Sequence, residues 1–159
     1  MAEKFAAAGM SLFGYGALAE LAPFLQREEI KKALIVTDAS INKLGLLKPV
    51  QEALENGGSG YIVFDAVMPN PTLQNVNDGV KLMADNHCDA IVAVGGGSAN
   101  DCAKAIRILE ANGGELRDYM GGNRPKKKGK YLIAVNTTAG TGSEVSRAFL
   151  ISDEKEKRK

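Results

Sequence analysis

Four apolar residues, Ile91-Val92-Ala93-Val94, run directly into Gly95-Gly96-Gly97-Ser98 and then into a helical pattern reaching Glu110. A short unbroken apolar run reads as a strand buried on both faces, which belongs in a parallel sheet covered by helices. The glycines carry no Cβ, so the backbone approaches a ligand closely there, and the N–H groups of the first helical turn point at it. Strand, glycine turn and helix start together make a site for an anion, and phosphate is the natural occupant.

The rest of the chain repeats the alternation. Strands are expected at Ala33 to Thr37, Gly60 to Phe64, Ala90 to Val94 and Tyr131 to Val135, with a further short strand at Ser11 to Phe13. Helices are expected at Ala17 to Gln26, around Ser40 to Leu44, at Leu47 to Glu55, from a Thr72 N-cap to Asn86, and from Ser98 to Leu109, with a helical turn at Leu116 to Met120. Gly14-Tyr15-Gly16 reads as a turn, and Asn56-Gly57-Gly58 and Asn112-Gly113-Gly114 as helix stops. Strands separated by helices of ten to fifteen residues imply right-handed crossovers and an α/β fold, a parallel sheet with helices on both faces. Ligands of such sheets bind beyond the carboxyl ends of the strands. That rule gathers Asp38, Asn70, Gly95 to Ser98 and Asn136 to Ser143 along one edge.

Composition narrows the partners. A chain of 159 residues fits one ordinary domain, and 45% hydrophobic content is enough for a core. The formal net charge of +1 carries no field suited to nucleic acid or an anionic membrane. The Lys126 to Lys130 run has no interleaved aromatics and reads as a solvated loop, and the charged tail Asp153 to Lys159 as a solvated or frayed end. No stretch is long and apolar enough to span a bilayer, and Met1 to Phe5 has no apolar signal core, so a cytoplasmic location is expected. Cys88 and Cys102 lack zinc spacing and read as buried free thiols, with a disulfide or reactive thiol as the alternative. His87, the sole histidine, reads as a residue at a helix end; alone it cannot supply a multi-histidine metal site.

Three segments carry the candidate chemistry, each with a structural alternative. Ser98 and Asp101 form an S-x-x-D pair that is either a capping box or, for Asp101, a direct cofactor or substrate contact. The glycine spacing is not G-x-G-x-x-G, so the usual dinucleotide fingerprint is absent. Asp38, after its strand, is either the N-cap of the next helix or the acceptor of two ribose hydroxyls, a position that repels a 2′-phosphate. Asn136-Thr137-Thr138-Ala139-Gly140-Thr141-Gly142-Ser143-Glu144 offers hydroxyls and backbone N–H groups suited to phosphate, ribose or a carboxamide, unless it is a plain polar turn.

These residues resemble the iron-containing (group III) alcohol dehydrogenase family. The resemblance is carried by FGYGALAEL at Phe13 to Leu21, VTD at Val36 to Asp38, MPNPT at Met68 to Thr72, DAIVAVGGGSANDCAKAI at Asp89 to Ile106 and NTTAGTGSEVSRAFLISD at Asn136 to Asp153. It implies a Rossmann-like, doubly wound, mostly parallel sheet with helices on both faces, as in the N-terminal domain of dehydroquinate synthase-like proteins. It further implies NAD-dependent oxidation of a primary alcohol or diol, or reduction of an aldehyde. Gly95, Gly96, Gly97 and Ser98 would hold the pyrophosphate, Asp38 the adenine ribose with a preference for NAD over NADP, and Asn70 would line the adenine and ribose side. Thr137, Thr138, Thr141 and Ser143 would contact phosphates, ribose and nicotinamide, and Asp101 would lie near the nicotinamide.

The family's Fe²⁺ or other divalent metal is held by an aspartate and three histidines of a second, mostly helical domain, and none of those positions falls in this chain. The expectation is therefore an NAD-binding N-terminal cofactor domain spanning 1–159, with no catalytic or metal-binding residue of its own and little turnover alone, drawn from a homo-oligomeric enzyme. The competing readings are a non-catalytic nucleotide-binding or self-association module, and a relative of the glycerol dehydrogenase type.

Overall fold

The structure is a computed structural model that describes residues 9–122 and 125–153. Four strands alternate with helices: α1 (Leu21–Arg27, entered through a 3-10 turn at Ala17–Glu20), β1 (Lys32–Val36), α2 (Ala39–Lys43), α3 (Lys48–Asn56), β2 (Gly60–Phe64), α4 (Leu73–Asp85), β3 (Ala90–Gly95), α5 (Gly97–Asn112) and β4 (Tyr131–Asn136). A 3-10 helix at Leu116–Gly122 precedes β4. The four strands pair in parallel throughout, in the order β2-β1-β3-β4. This is the expected α/β architecture, with strand and helix bounds within a residue or three of those read from the sequence.

The period-two alternation of the strands divides the core into two. Leu34 and Val36 of β1 and Ile91 and Ala93 of β3 face Val76 and Met83 of α4 and Cys102, Ile106 and Leu109 of α5. Ala33 and Ile35, with Ala90, Val92 and Val94, face Leu21 and Leu25 of α1 and Val50 and Leu54 of α3. Every residue of β3 is buried, as its unbroken apolar run requires of a strand covered on both sides. Cys88 and Cys102 are both buried and free, and burial pushes the Cys102 thiol up to about 12.

Two expectations fail locally. Residues 11–13 form no strand: they have no partner among the described residues, Leu12 and Phe13 are exposed, and a strand exists only through its ladder. Helix α5 starts at Gly97, with Gly96 as its N-cap in extended backbone, so Ser98 lies inside the first turn and does not cap. Met1 to Phe5, Asn123, Arg124 and the charged run beyond Asp153 lie outside the described residues.

The strand order places the functional edge. The chain leaves β1 toward β2 and leaves β3 toward β4, in opposite directions, so the topological switch point lies between β1 and β3. A crevice opens beyond the carboxyl ends of strands at such a point. Extending the β1–β3 register from Ala33↔Ala90 brings Thr37 level with Val94 and Asp38 level with Gly95.

Candidate functional site

Thr37 holds the switch point together. Its buried hydroxyl donates to Val94 O at 2.8 Å, its N–H donates to Phe64 O at 2.9 Å, and its carbonyl accepts from Val67 N at 3.2 Å. The carboxyl ends of β1, β2 and β3 are thus joined through one residue. Just beyond it, Asp38 caps α2: its Oδ1 accepts from Ser40 N at 2.8 Å and Ile41 N at 3.0 Å. The capping role read from the sequence is present, and both bonds use the same carboxylate oxygen.

The turn after β3 is built by backbone geometry. Gly95 has φ +149, where an L side chain is strained, and a Cβ on it would lie 3.0 Å from that of Ala99. A Cβ on Gly96 would stand 2.6 Å from Thr138 Oγ1, and one on Gly97 3.1 Å from Thr141 Cγ2. The glycines therefore let the loop after β4 close on the start of α5. No side chain caps α5, as is also true of α1 and α3, whereas Asp38 caps α2 and Thr72 caps α4. A sixteen-residue helix thus presents its uncapped positive end at the switch point. Ser98, in the first turn, donates to Pro69 O at 2.7 Å, pinning the loop after β2. Asn75 holds the same loop from below, accepting from Met68 N and Thr72 N and donating to Ala66 O at 3.0 Å.

The loop after β4 is fixed differently. Its first residue continues the ladder, Thr137 N donating to Gly95 O at 3.0 Å, and Asn136 accepts from Asn100 Nδ2 at 2.9 Å. Further along, Asp101 gathers it: Oδ1 accepts from Ser143 Oγ at 2.6 Å and Oδ2 from Leu150 N at 3.0 Å. Lys104 pairs with Asp101 at 3.0 Å. Asp101 therefore makes no capping box with Ser98, since its carboxylate is spent on this segment.

The result is a cleft of about 380 Å³ lined by the Pro69 to Pro71 loop on one side, by Gly97, Ser98 and Asp101 on its floor, and on the other side by Thr141, Ser143, Ser146, the stretch 148–150 and Ser152. Of the residues expected at the site, Asn70, Gly97, Ser98, Asp101, Thr141 and Ser143 line it. Gly95, Gly96, Thr137 and Thr138 meet at its back through the contacts above. Asp38 stands apart, beside Gly95 at the end of β1. Reading the sequence left out Thr37, Asn75, Asn100, Lys104 and the Phe149-Leu150 wall. Only Lys104 carried a local signal, its position three residues after Asp101.

The residues fit a dinucleotide: the turn leaves little room for a Cβ, the helix end is uncapped, and an acidic group, Asp38, ends the neighbouring strand level with Gly95. A metal finds no such fit, because among the described residues no three His, Cys, Asp or Glu side chains come together.

A parallel α/β domain with a glycine-bounded helix start at its switch point has the architecture used by nucleotide-binding proteins of the doubly wound class. Comparison with known proteins narrows this. The sequence model for iron-containing alcohol dehydrogenase matches residues 9–159. Alcohol dehydrogenase 4 of Saccharomyces cerevisiae is 47% identical over 150 residues, covering 94% of this chain and 39% of that protein. A crystal structure of 1,3-propanediol oxidoreductase superposes with a TM-score of 0.93 at 36% identity, over 98% of this chain and 41% of that one. Sulfoacetaldehyde reductase from Bifidobacterium kashiwanohense, solved in complex with NAD+, gives 0.87 at 28% identity over 99% of this chain and 42% of that one. The chain belongs to the iron-containing alcohol dehydrogenase family, and it spans about two fifths of the length of these relatives.

Proposed function

We propose that this chain is the NAD-binding part of a metal-dependent alcohol dehydrogenase or aldehyde reductase, acting on a primary alcohol or diol. The observation that carries this reading is the uncapped N-terminus of α5 beside Gly95 and Gly96, at the switch point of the sheet. The α5 N–H groups and Ser98 bind the pyrophosphate, with Thr137 and Thr138 closing over it. Asp38 accepts from the adenine ribose through the carboxylate oxygen that its cap leaves over, and Asn70 lines that side. Thr141, Ser143 and Asp101 shape the nicotinamide end. When bound there, NAD supplies the hydride acceptor of the reaction; the chain's own residues orient it and exclude water. The divalent metal, expected to be Fe²⁺, and its ligands belong to a second domain outside this chain, so this part alone turns over little or no alcohol. The working enzyme is a cytoplasmic homo-oligomer. Among the described residues no helix is long and apolar enough to cross a membrane.

The test is a calorimetric titration of NAD and, separately, NADP into the chain. Saturable binding that prefers NAD is expected; binding of neither removes the reading. Asp38→Gly sharpens it. Glycine at an N-cap costs only about a few tenths of a kcal/mol, so the variant stays folded while its affinity for NADP rises relative to NAD. An unchanged ratio takes Asp38 out of the ribose site.

A further inference from the structure

Lys104 is absent from the set of residues assigned above to the dinucleotide, yet its ammonium bonds repeatedly to the segment that walls the cleft. Its Nζ donates to Ser143 Oγ at 2.8 Å, to Ser143 O at 3.0 Å and to Ala148 O at 2.5 Å, with Ser146 O at 3.5 Å and Asp101 Oδ1 at 3.0 Å. The Lys104 and Asp101 side chains are 11% and 16% exposed. An ammonium so far out of water needs its charge matched and its three donors used. Here one carboxylate and three backbone carbonyls do both.

Those carbonyls belong to a segment with no helix or strand of its own between β4 and Leu150. Its internal hydrogen bonds are all local, such as Ser146 N to Gly142 O at 3.0 Å and Ala148 N to Ser146 Oγ at 3.0 Å. They shape the segment but do not attach it to the domain. Among the described residues, the bonds that join 143–150 to α5 all end on Asp101 or Lys104. Ser143 links the two, accepting from Lys104 and donating to Asp101. This same segment is one wall of the cleft.

We infer that Lys104 is a positioning residue whose ammonium draws the 143–150 segment onto α5 and presets the width of the cleft for the nicotinamide half of the dinucleotide. The inference rests on the NAD reading for its ligand but not for the clamp itself. The clamp is a compact point charge approached by carbonyls from several directions. A planar arginine fork cannot meet them all, although it keeps a cation beside Asp101.

The test compares the unmodified chain with Lys104→Met and Lys104→Arg. Hydrogen exchange of peptides covering 141–152, without ligand, should be about tenfold or more faster in Lys104→Met, with β3 and α5 amides unchanged. Lys104→Arg, which keeps the charge and the fold, should fall between. Calorimetry should then show NAD binding to Lys104→Met weakened by about tenfold, the fraction of competent segment setting the loss. AMP, which reaches only the Asp38 side, should bind as before. Unchanged exchange at 141–152 overturns the clamp, as does full recovery of protection by arginine. Equal losses for NAD and AMP overturn the positioning role, because a general loss of structure accounts for both. If the unmodified chain binds no NAD while exchange still accelerates in Lys104→Met, the NAD reading fails and the clamp stands.

Discussion

Two boundaries of the cleft, the glycine turn at its back and floor and the 143–150 segment at its side, are built on opposite principles. The turn from β3 into α5 takes its shape from backbone: a glycine at φ +149, an extended N-cap glycine, and a helix behind them. The loop from β4 to Leu150 is joined to α5 by charge, through a lysine and an aspartate of that helix, with Phe149 packed on the core and Ser152 bridged to Thr72 just beyond it. A backbone-built wall is rigid by exclusion, since other residues do not fit. A charge-built wall is rigid only while its ion pair and hydrogen bonds are complete, so the two should fail differently.

The largest expected effect is on the charged wall. Asp101→Ala leaves the Lys104 ammonium nearly buried without its carboxylate, which should cost about 3 kcal/mol in urea unfolding. A cost within the noise of a surface pair would mean that water replaces the carboxylate freely, and the contrast between the walls would collapse. Next in size is Gly95→Ala. Placing an alanine at that φ, with its Cβ 3.0 Å from that of Ala99, should cost about 2 kcal/mol. Unlike the aspartate change it should leave exchange in 143–150 untouched.

Cys102 reports on the rigid side alone. Its thiol lies fully buried on α5, and burial raises it to about 12, so at pH 8 it is protonated and shielded. Labelling by a thiol reagent should require unfolding, and Lys104→Met should not speed it. Rapid labelling in that variant would show that α5 loosens with the loop.

The smallest effect is at the far end of β4. Tyr131 donates to Glu28, and this bond, with the Arg27 guanidinium, holds the Glu28 carboxyl below its ordinary value. A lowered carboxyl contributes stability above its unfolded pKa, and loses it as pH falls through the folded one. Tyr131→Phe should flatten the acid limb of the stability curve slightly, the pair being in solvent. A steep limb that persists in the variant would assign it elsewhere.

The contrast also explains what could be read from the sequence. The backbone-built wall is local: Ile91 to Ser98 announces strand, turn and helix in eight consecutive letters, and the fold follows from repeating that reasoning. The error at Ser98 was one of phase, because Gly96 in extended backbone starts the helix earlier than a serine cap predicts. The charge-built wall is nonlocal. Thr137 to Ser143 are legible as hydroxyl-rich, but nothing in them says that Ser143 meets Asp101, 42 residues away. Lys104 looks like one more helical lysine until the loop is folded over it. The segment at Ser11 to Phe13 misled for the same reason, since a strand pattern does not name its partner.

The sheet itself carries a last consequence. Among the described residues β4 pairs with β3 alone, leaving a six-residue parallel edge with Leu132, Ile133 and Val135 half-buried and no proline to interrupt it. Such an edge presents a row of unpaired N–H and C=O groups to a further strand. Among the described residues β2 forms the other edge of the sheet, so both ends of the ladder offer unpaired backbone groups. A lysine at exposed Ala134 would blunt the β4 edge.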